Sequence, residues 1–321
     1  MISTQQVQER RLDELLKRQL GPRILAAIAD PQITEIIVNE DGRLWFESYG
    51  SGMREAGLTL APSQVESLIG TVAASLGTVA NVANPIIEGE LPIAAIRFEG
   101  LLPPVARKPC CVMRKPAQVL YTLNDYVRDQ ILSEAHGAVL RSAIDQRRNI
   151  VIAGGTGSGK TTLAGALINE MVERSDPNER YVIIEDTLEI QCRAKNLAQL
   201  HTAEGADMTR LVRTTMRLRP DRIIIGEVRG AEALALLKAW NTGHPGGVTT
   251  IHANSGKAAL IRLSSLVQEA GVPPQPELIA ETINLIAFIV RTTSGRRVTE
   301  LVDVDGHDPR SGFRLRPIEV K

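Results

Sequence analysis

The sequence predicts an α/β chain of two domains. A smaller α+β domain is expected over residues 1–118, a linker over 119–135, and a doubly wound, mostly parallel sheet over 136–321. Three observations carry this. Short continuous apolar runs alternate with helical periodicity through the second half, as buried parallel strands and their crossover helices do. The first half mixes a hairpin signal with an amphipathic helix. The 321 residues, 43% of them apolar, suffice for two cores.

The elements follow in order. Val7, Leu12, Leu15, Leu16 and Leu20 recur near one face at helical spacing, and Gly21-Pro22 stops that helix. It is expected to pack at the edge of the first domain; the alternative is a membrane-surface or partner-binding helix. Ile33–Val38 and Leu44–Phe46 flank Asn39-Glu40-Asp41-Gly42, a hairpin signal. Pro62 and Ser63 open a helix to about Leu76. Two apolar stretches, Ile93–Phe98 and Cys110–Met113, bracket the proline-rich Leu101–Pro109. Tyr121–Val127 is polar enough to be a linker entering a helix. Ile150–Ala153, Val182–Ile184, Ile223–Ile225 and Thr249–His252 are the strand candidates of the second domain. A helix from Thr161 carries Leu163, Leu167, Ile168, Met171 and Val172 on one face.

Composition excludes several classes. Lys+Arg and Asp+Glu both number 37, which disfavours a globally basic duplex-binding surface. Aromatics are only 3%, which disfavours base-stacking single-strand binders, so direct nucleic-acid binding is not expected. Three cysteines, two of them the adjacent Cys110 and Cys111, give no disulfide framework or zinc spacing and fit a reducing compartment. The polar N-terminus does not resemble a signal peptide, and no apolar run reaches the length of a membrane span. A cytoplasmic protein without an integral membrane segment is therefore expected.

Gly154-Gly155-Thr156-Gly157-Ser158-Gly159-Lys160-Thr161 satisfies G-x-x-x-x-G-K-[ST], with an apolar strand before it and an amphipathic helix after it. Glycines let the backbone curl so that successive N–H groups point at phosphate oxygens. The helix N-terminus adds positive potential at the same place. Lys160 is expected to neutralise the outer phosphates and Thr161 to bind Mg²⁺, with Thr162 beside it in the binding turn. The motif thus predicts binding of a nucleoside triphosphate, ATP with Mg²⁺.

Hydrolysis requires a carboxylate near the metal and another near the attacking water. Ile184 leads into Glu185-Asp186, and Ile225 into Gly226-Glu227. Ligands in such folds sit beyond the carboxyl ends of the strands, where both pairs are expected. Glu227 is the expected water-orienting group, and Glu185 the expected metal contact, direct or through water. Gly226 stands where many P-loop enzymes carry a metal-binding aspartate. His252, ending a strand, is a candidate γ-phosphate sensor; His244 is a weaker one. Arg210, Arg213 and Arg217 recur at i, i+3 and i+7, with Arg219 and Arg222 following. That stripe leads to the Glu227 strand, and Arg217 is the arginine expected to reach phosphate, in its own subunit or a neighbour's.

Five stretches occur in order: Gly154–Thr161, Ile184-Glu185-Asp186-Thr187, Arg217-Leu218-Arg219-Pro220-Asp221, Ile225-Gly226-Glu227-Val228-Arg229-Gly230, and Gly243-His244 through Thr250-Ile251-His252-Ala253. This set resembles the traffic ATPases of type II and type IV secretion: their Walker A, Asp box, arginine-rich approach, atypical Walker B and His box. The resemblance covers roughly residues 130–295. A glycine before the catalytic glutamate is normal in that family. Gly230-Ala231-Glu232 resembles the conjugation and type IV branch, as do Arg97–Pro104 and Met113–Pro116 in the first domain.

The resemblance implies a RecA-like P-loop NTPase domain assembled as a homohexameric ring, with ATP between the two domains of a subunit. It implies nucleotide contacts from arginines of the first domain, for which Arg97 and Arg114 match. It also implies work at the cytoplasmic face of the inner membrane, peripheral to the membrane components of a secretion or conjugation apparatus. The alternatives are a pilus-assembly ATPase of another secretion branch and a RecA-like nucleic-acid motor.

Overall fold

The computed structural model describes residues 4–48, 51–94, 96–116, 120–293 and 295–319, with side chains from residue 10 onward. The chain divides into two compact units, residues 1–119 and 120–321.

The first unit runs α1 (Thr4–Ala29), β1 (Ile33–Val38), β2 (Arg43–Ser48), β3 (Gly52–Thr59), α2 (Pro62–Ser75), β4 (Ile86–Leu91), β5 (Ile96–Leu101) and β6 (Cys110–Arg114). Its strands form one six-stranded antiparallel sheet in the order β3-β2-β1-β6-β5-β4. Alternation puts Ile36, Val38, Phe46, Phe98 and Met113 on the buried face. Val65, Leu68, Ile69 and Val72 of α2 join the same core.

The Gly21-Pro22 break is real but the helix does not end there. Gly21 takes φ 68, ψ 169, and a second helical segment continues to Ala29. Leu16, Leu20, Ile24 and Ala27 are buried on both sides of the kink. Leu16 and Leu20 are therefore committed to the core, while Leu12 and Leu15 are half-buried; Val7 lies outside the side chains described. Two further differences concern strands. β5 begins at Ile96, after a turn, so the strand is shifted from the apolar stretch at Ile93–Phe98. β3 and β4 are both half-exposed edge strands with weak apolar signals.

The second unit runs α3 (Leu123–Arg128), α4 (Glu134–Asp145), β7 (Ile150–Gly154), α5 (Lys160–Arg174), β8 (Arg180–Glu185), β9 (Asn196–His201), α6 (Met208–Thr215), β10 (Arg222–Ile225), α7 (Glu232–Asn241), β11 (Val248–His252), α8 (Gly256–Gln268), α9 (Pro276–Thr282), β12 (Leu285–Thr292), β13 (Gly295–Asp308) and β14 (Gly312–Pro317). The sheet order is β14-β13-β12-β7-β11-β10-β8-β9. From β12 through β9 all neighbours are parallel; β13 and β14 add an antiparallel edge.

Both faces of this sheet are covered. Val151, Val182 and Ile223 pack with α7 and α8, while Ile150, Ile152 and Ile183 pack with α4 and α5. Burial on both sides explains why these strands are continuous apolar runs. The expected linker at 119–135 is corrected here. Thr122 caps α3 by accepting from the Asp125 amide, and Leu123, Tyr126 and Leu132 are buried in the second unit's core. A polar exterior hid that periodic apolar face. Among the described residues no helix is long and apolar enough to cross a membrane.

Candidate functional site

The phosphate loop joins β7 to α5. Gly157 and Gly159 have φ 68 and φ 97, conformations that side chains with a Cβ rarely adopt. Gly154 is crowded: a Cβ there would lie 2.4 Å from the Ile289 carbonyl oxygen. Residues 155–157 are exposed, so the loop's turn faces solvent. Thr161 and Thr162 follow in the first turn of α5, half-buried. Ser158 is buried, and its Oγ has no partner among the described residues.

Lys160 is the central cation. Its Nζ donates to the Gly155 carbonyl at 3.0 Å and lies 3.3 Å from His252 Nδ1. It has no carboxylate within ion-pair distance among the described residues. Burial pushes its pKa down; Glu227 opposes that shift and Arg229 adds to it. A buried cation held only by a carbonyl and an imidazole, beside an unpartnered hydroxyl, fits a triphosphate that would supply the missing negative charge.

Glu227 comes from the segment after β10. The Val228 amide donates to the Thr250 carbonyl, and Thr250 Oγ1 donates to the Gly226 carbonyl at 2.8 Å, pinning this segment to β11. One carboxylate oxygen of Glu227, Oε1, is buried and lies 2.9 Å from His252 Nε2, yet among the described residues it accepts no well-aligned hydrogen bond. The contact is one of proximity and charge, and a ring protonated on Nε2 leaves Nδ1 to accept from Lys160. A neutral ring is consistent with the His252 pKa, which burial lowers; Glu227 pulls it up, while Lys160, Arg229 and Arg262 push it further down. Lys160, His252 and Glu227 thus form one continuous polar chain at the carboxyl edge of the sheet.

Glu185 ends β8 at the same edge and is nearly excluded from solvent. Its Oε1 accepts from the amides of Glu189 and Ile190 at 3.1 and 3.0 Å, and Oε2 lies 3.3 Å from the Ile190 amide. Burial raises its pKa to about 7, with those two amides acting in the opposite sense. A Cβ on Gly226 would come within 2.9 Å of Glu185 Cγ, so the glycine is what admits this glutamate. Among the described residues no group of three His, Cys, Asp or Glu is arranged to hold a metal. A metal here would depend on Thr161 and the phosphates it accompanies.

The expected arginine stripe is corrected. α6 ends at Thr215, so Arg217 is not on its face, and Arg219 takes φ 52 in the turn that follows. Arg217 is exposed, and the carbonyl of its neighbour Leu218 accepts from Arg180 Nε at 2.8 Å at the start of β8, the amino edge of the strands and the opposite end from the phosphate loop. Arg222 lies at that amino edge too, buried and paired with Glu179 at 2.9 Å. His244 is likewise there, 3.0 Å from the Pro220 carbonyl, and is no phosphate sensor in this chain. In the first unit Arg97 and Arg114 are direct cross-strand neighbours. Arg114 Nε donates to Glu35 at 2.6 Å.

Two features of the site escaped the sequence. Arg229 Nε donates to Glu227 Oε2 at 2.8 Å, and its Nη1 to Asp186 Oδ2 at 3.3 Å. Arg291 and Arg296, paired across the β12–β13 hairpin, border the loop: a Cβ on Gly159 would lie 2.8 Å from Arg296 Cδ. Recognising β12 in the apolar run Leu285–Val290 would have placed that hairpin beside β7.

The strand order, the phosphate loop and the carboxylates at one sheet edge define a RecA-like P-loop NTPase domain preceded by an antiparallel α+β unit. The family model for the Type II/IV secretion system protein matches residues 87–310, and the chain belongs to that family. It is 51% identical to the conjugal transfer protein TrbB of Rhizobium radiobacter over 297 residues, covering 92% of this chain and 91% of the relative. It is 52% identical over 295 residues to the probable conjugal transfer protein TrbB of Sinorhizobium fredii, covering 92% and 90%. The X-ray structure of the Legionella pneumophila ATPase DotB shares the fold at 22% identity, with a TM-score of 0.60 over 89% of this chain and 80% of the other.

Proposed function

We propose that this chain is the ATPase of a conjugative type IV secretion apparatus, hydrolysing ATP to power mating-pair assembly or transport. The observation that carries this reading is the convergence of Lys160, His252 and Glu227 at the carboxyl edge, in a chain about half identical to conjugal transfer proteins. Residues Gly154–Thr162 hold the triphosphate, and Lys160 leaves the Gly155 carbonyl to bind its outer phosphates. Thr161, together with the phosphates, would hold Mg²⁺, which would supply charge neutralisation to the phosphoryl group. Glu227 orients the attacking water. His252, bridging Lys160 and Glu227, senses whether the γ-phosphate is present. Glu185 supports the site from behind Gly226, and any contact it makes to the metal or its waters requires release of the 189–190 amides. Arg217, at the far edge, acts only on a neighbouring subunit's nucleotide, in the proposed homohexamer at the cytoplasmic face of the inner membrane.

The test is plasmid transfer from donors carrying only the Glu227→Gln allele, together with ATPase activity of the purified variant. The expected result is loss of transfer at normal protein abundance and a fall in turnover of about 10²-fold or more with nucleotide binding retained. Wild-type turnover would remove Glu227 from catalysis. Lost turnover with unchanged transfer would assign the ATPase to another machine.

A further inference from the structure

We propose that Arg229 is a positioning residue that latches Glu227 while no nucleotide is bound, and that triphosphate binding must open this latch. The inference rests on the reading of Glu227 as the water-orienting carboxylate.

Arg229 bonds to Glu227 through two nitrogens: Nε at 2.8 Å and Nη2 at 2.5 Å, both on Oε2. Its third nitrogen, Nη1, is anchored on Asp186 at 3.3 Å. The backbone of Arg229 is fixed as well. Glu232 Oε1 accepts from the amides of Arg229 and Gly230 at 2.6 and 2.8 Å, closing the start of α7. Oε1 is buried beside His252 and accepts no hydrogen bond among the described residues, which leaves Oε2 as the oxygen able to meet water. Oε2 is the oxygen that carries both Arg229 bonds, so a carboxylate so held is poorly placed to accept from water. Arg229 is nevertheless the accessible member of the pair: its side chain is 54% exposed against 16% for Glu227. The guanidinium can therefore be withdrawn without unpacking the core.

The consequence is a linkage. A γ-phosphate and its attacking water need Glu227 Oε2, which Arg229 occupies, so part of the binding free energy of a triphosphate is spent opening the pair. A diphosphate lacks the group that has to meet Glu227 and leaves the latch closed. Breaking the latch is thus expected to favour triphosphate over diphosphate binding. The size is that of a partly exposed ion pair, about two- to five-fold in affinity.

The experiment measures binding of Mg²⁺–AMP-PNP and of Mg²⁺–ADP to the full chain by calorimetry, for wild type, Arg229→Gln, Arg229→Lys and Asp186→Asn. Turnover is measured alongside. Expected for Arg229→Gln are tighter AMP-PNP binding by about two- to five-fold, unchanged ADP binding, and a raised kcat. Arg229→Lys, unable to hold Glu227 and Asp186 together, should lie between wild type and Arg229→Gln. Asp186→Asn should shift AMP-PNP binding in the same direction by less. Weaker AMP-PNP binding by Arg229→Gln would overturn the latch and make Arg229 a phosphate ligand. Equal affinities and an unchanged kcat would overturn it too. Failure of the underlying reading shows separately, as wild-type turnover by Glu227→Gln. A circular-dichroism spectrum and urea midpoint matching wild type establish that each variant is folded.

Discussion

At the amino edge of the second unit's sheet the Arg222 side chain is 3% exposed, and its guanidinium meets Glu179, the Gly246 carbonyl at 3.0 Å and Ser175 Oγ at 2.9 Å. At the carboxyl edge the Arg229 side chain is 54% exposed and shares Glu227 with a histidine. Both edges concentrate charge, but only the first is closed. Around Arg222, Arg147 also binds Glu179, and Asn149 Oδ1 accepts from the amides of Gly246 and Gly247. Arg222, Glu179 and Asn149 all have protein partners, so at those groups a ligand has nothing to add. At the carboxyl edge Lys160 is a desolvated cation short of negative charge. Charge that is satisfied and buried stabilises the fold; charge that is half-satisfied at the solvent boundary is available for exchange.

The contrast breaks most readily at Arg222. Arg222→Ala leaves the Glu179 carboxylate, 10% exposed, with Arg147 and the Tyr181 hydroxyl at 3.4 Å, and should lower unfolding free energy by about 3–5 kcal/mol, read from urea midpoints. A loss under about 1 kcal/mol would mean the amino edge is not a structural network.

Next comes Glu185, which belongs to the functional edge by position and to the core by burial. Its folded pKa of about 7 lies above its ordinary 4.5. Between those values the unfolded chain sheds the proton first, so wild-type stability falls as pH rises from about 4.5 to about 7 and then levels. Glu185→Gln cannot ionise and should lack that slope, gaining up to about 3 kcal/mol on wild type by neutral pH. Parallel pH profiles for the two proteins would show that Glu185 does not titrate in this way.

The smallest effect on stability is expected at the functional edge itself. Lys160→Met should change unfolding free energy by less than about 1 kcal/mol while abolishing measurable nucleotide binding. A large destabilisation would assign Lys160 a structural role as well.

Sequence and structure agree where burial is two-sided. Ile150–Ala153, Val182–Ile184 and Ile223–Ile225 are legible because a strand covered on both faces needs apolar residues throughout. The loop motif is legible because phosphate binding fixes residue types at fixed spacing. β9 was not, since its half-exposed Asn196–His201 has no such run. The arginine stripe misled because i, i+3, i+7 spacing has meaning only while the helix continues, and α6 stops at Thr215. His244 is misleading for a related reason: it is close to His252 in sequence but sits at the opposite end of β11, while His252 lies at the edge where it is expected. Arg229 joins Glu227 to Asp186, which follows β8, and the sheet order alone brings those strands side by side.

The approach of Gly226 to Glu185 has an evolutionary consequence. A Cβ at 226 would meet Glu185 Cγ at 2.9 Å, so an aspartate could enter only if residue 185 became smaller or moved away. The two positions are therefore coupled by packing: an aspartate at 226 and a glutamate at 185 compete for one volume, and a substitution at either is tolerated best when the other changes with it.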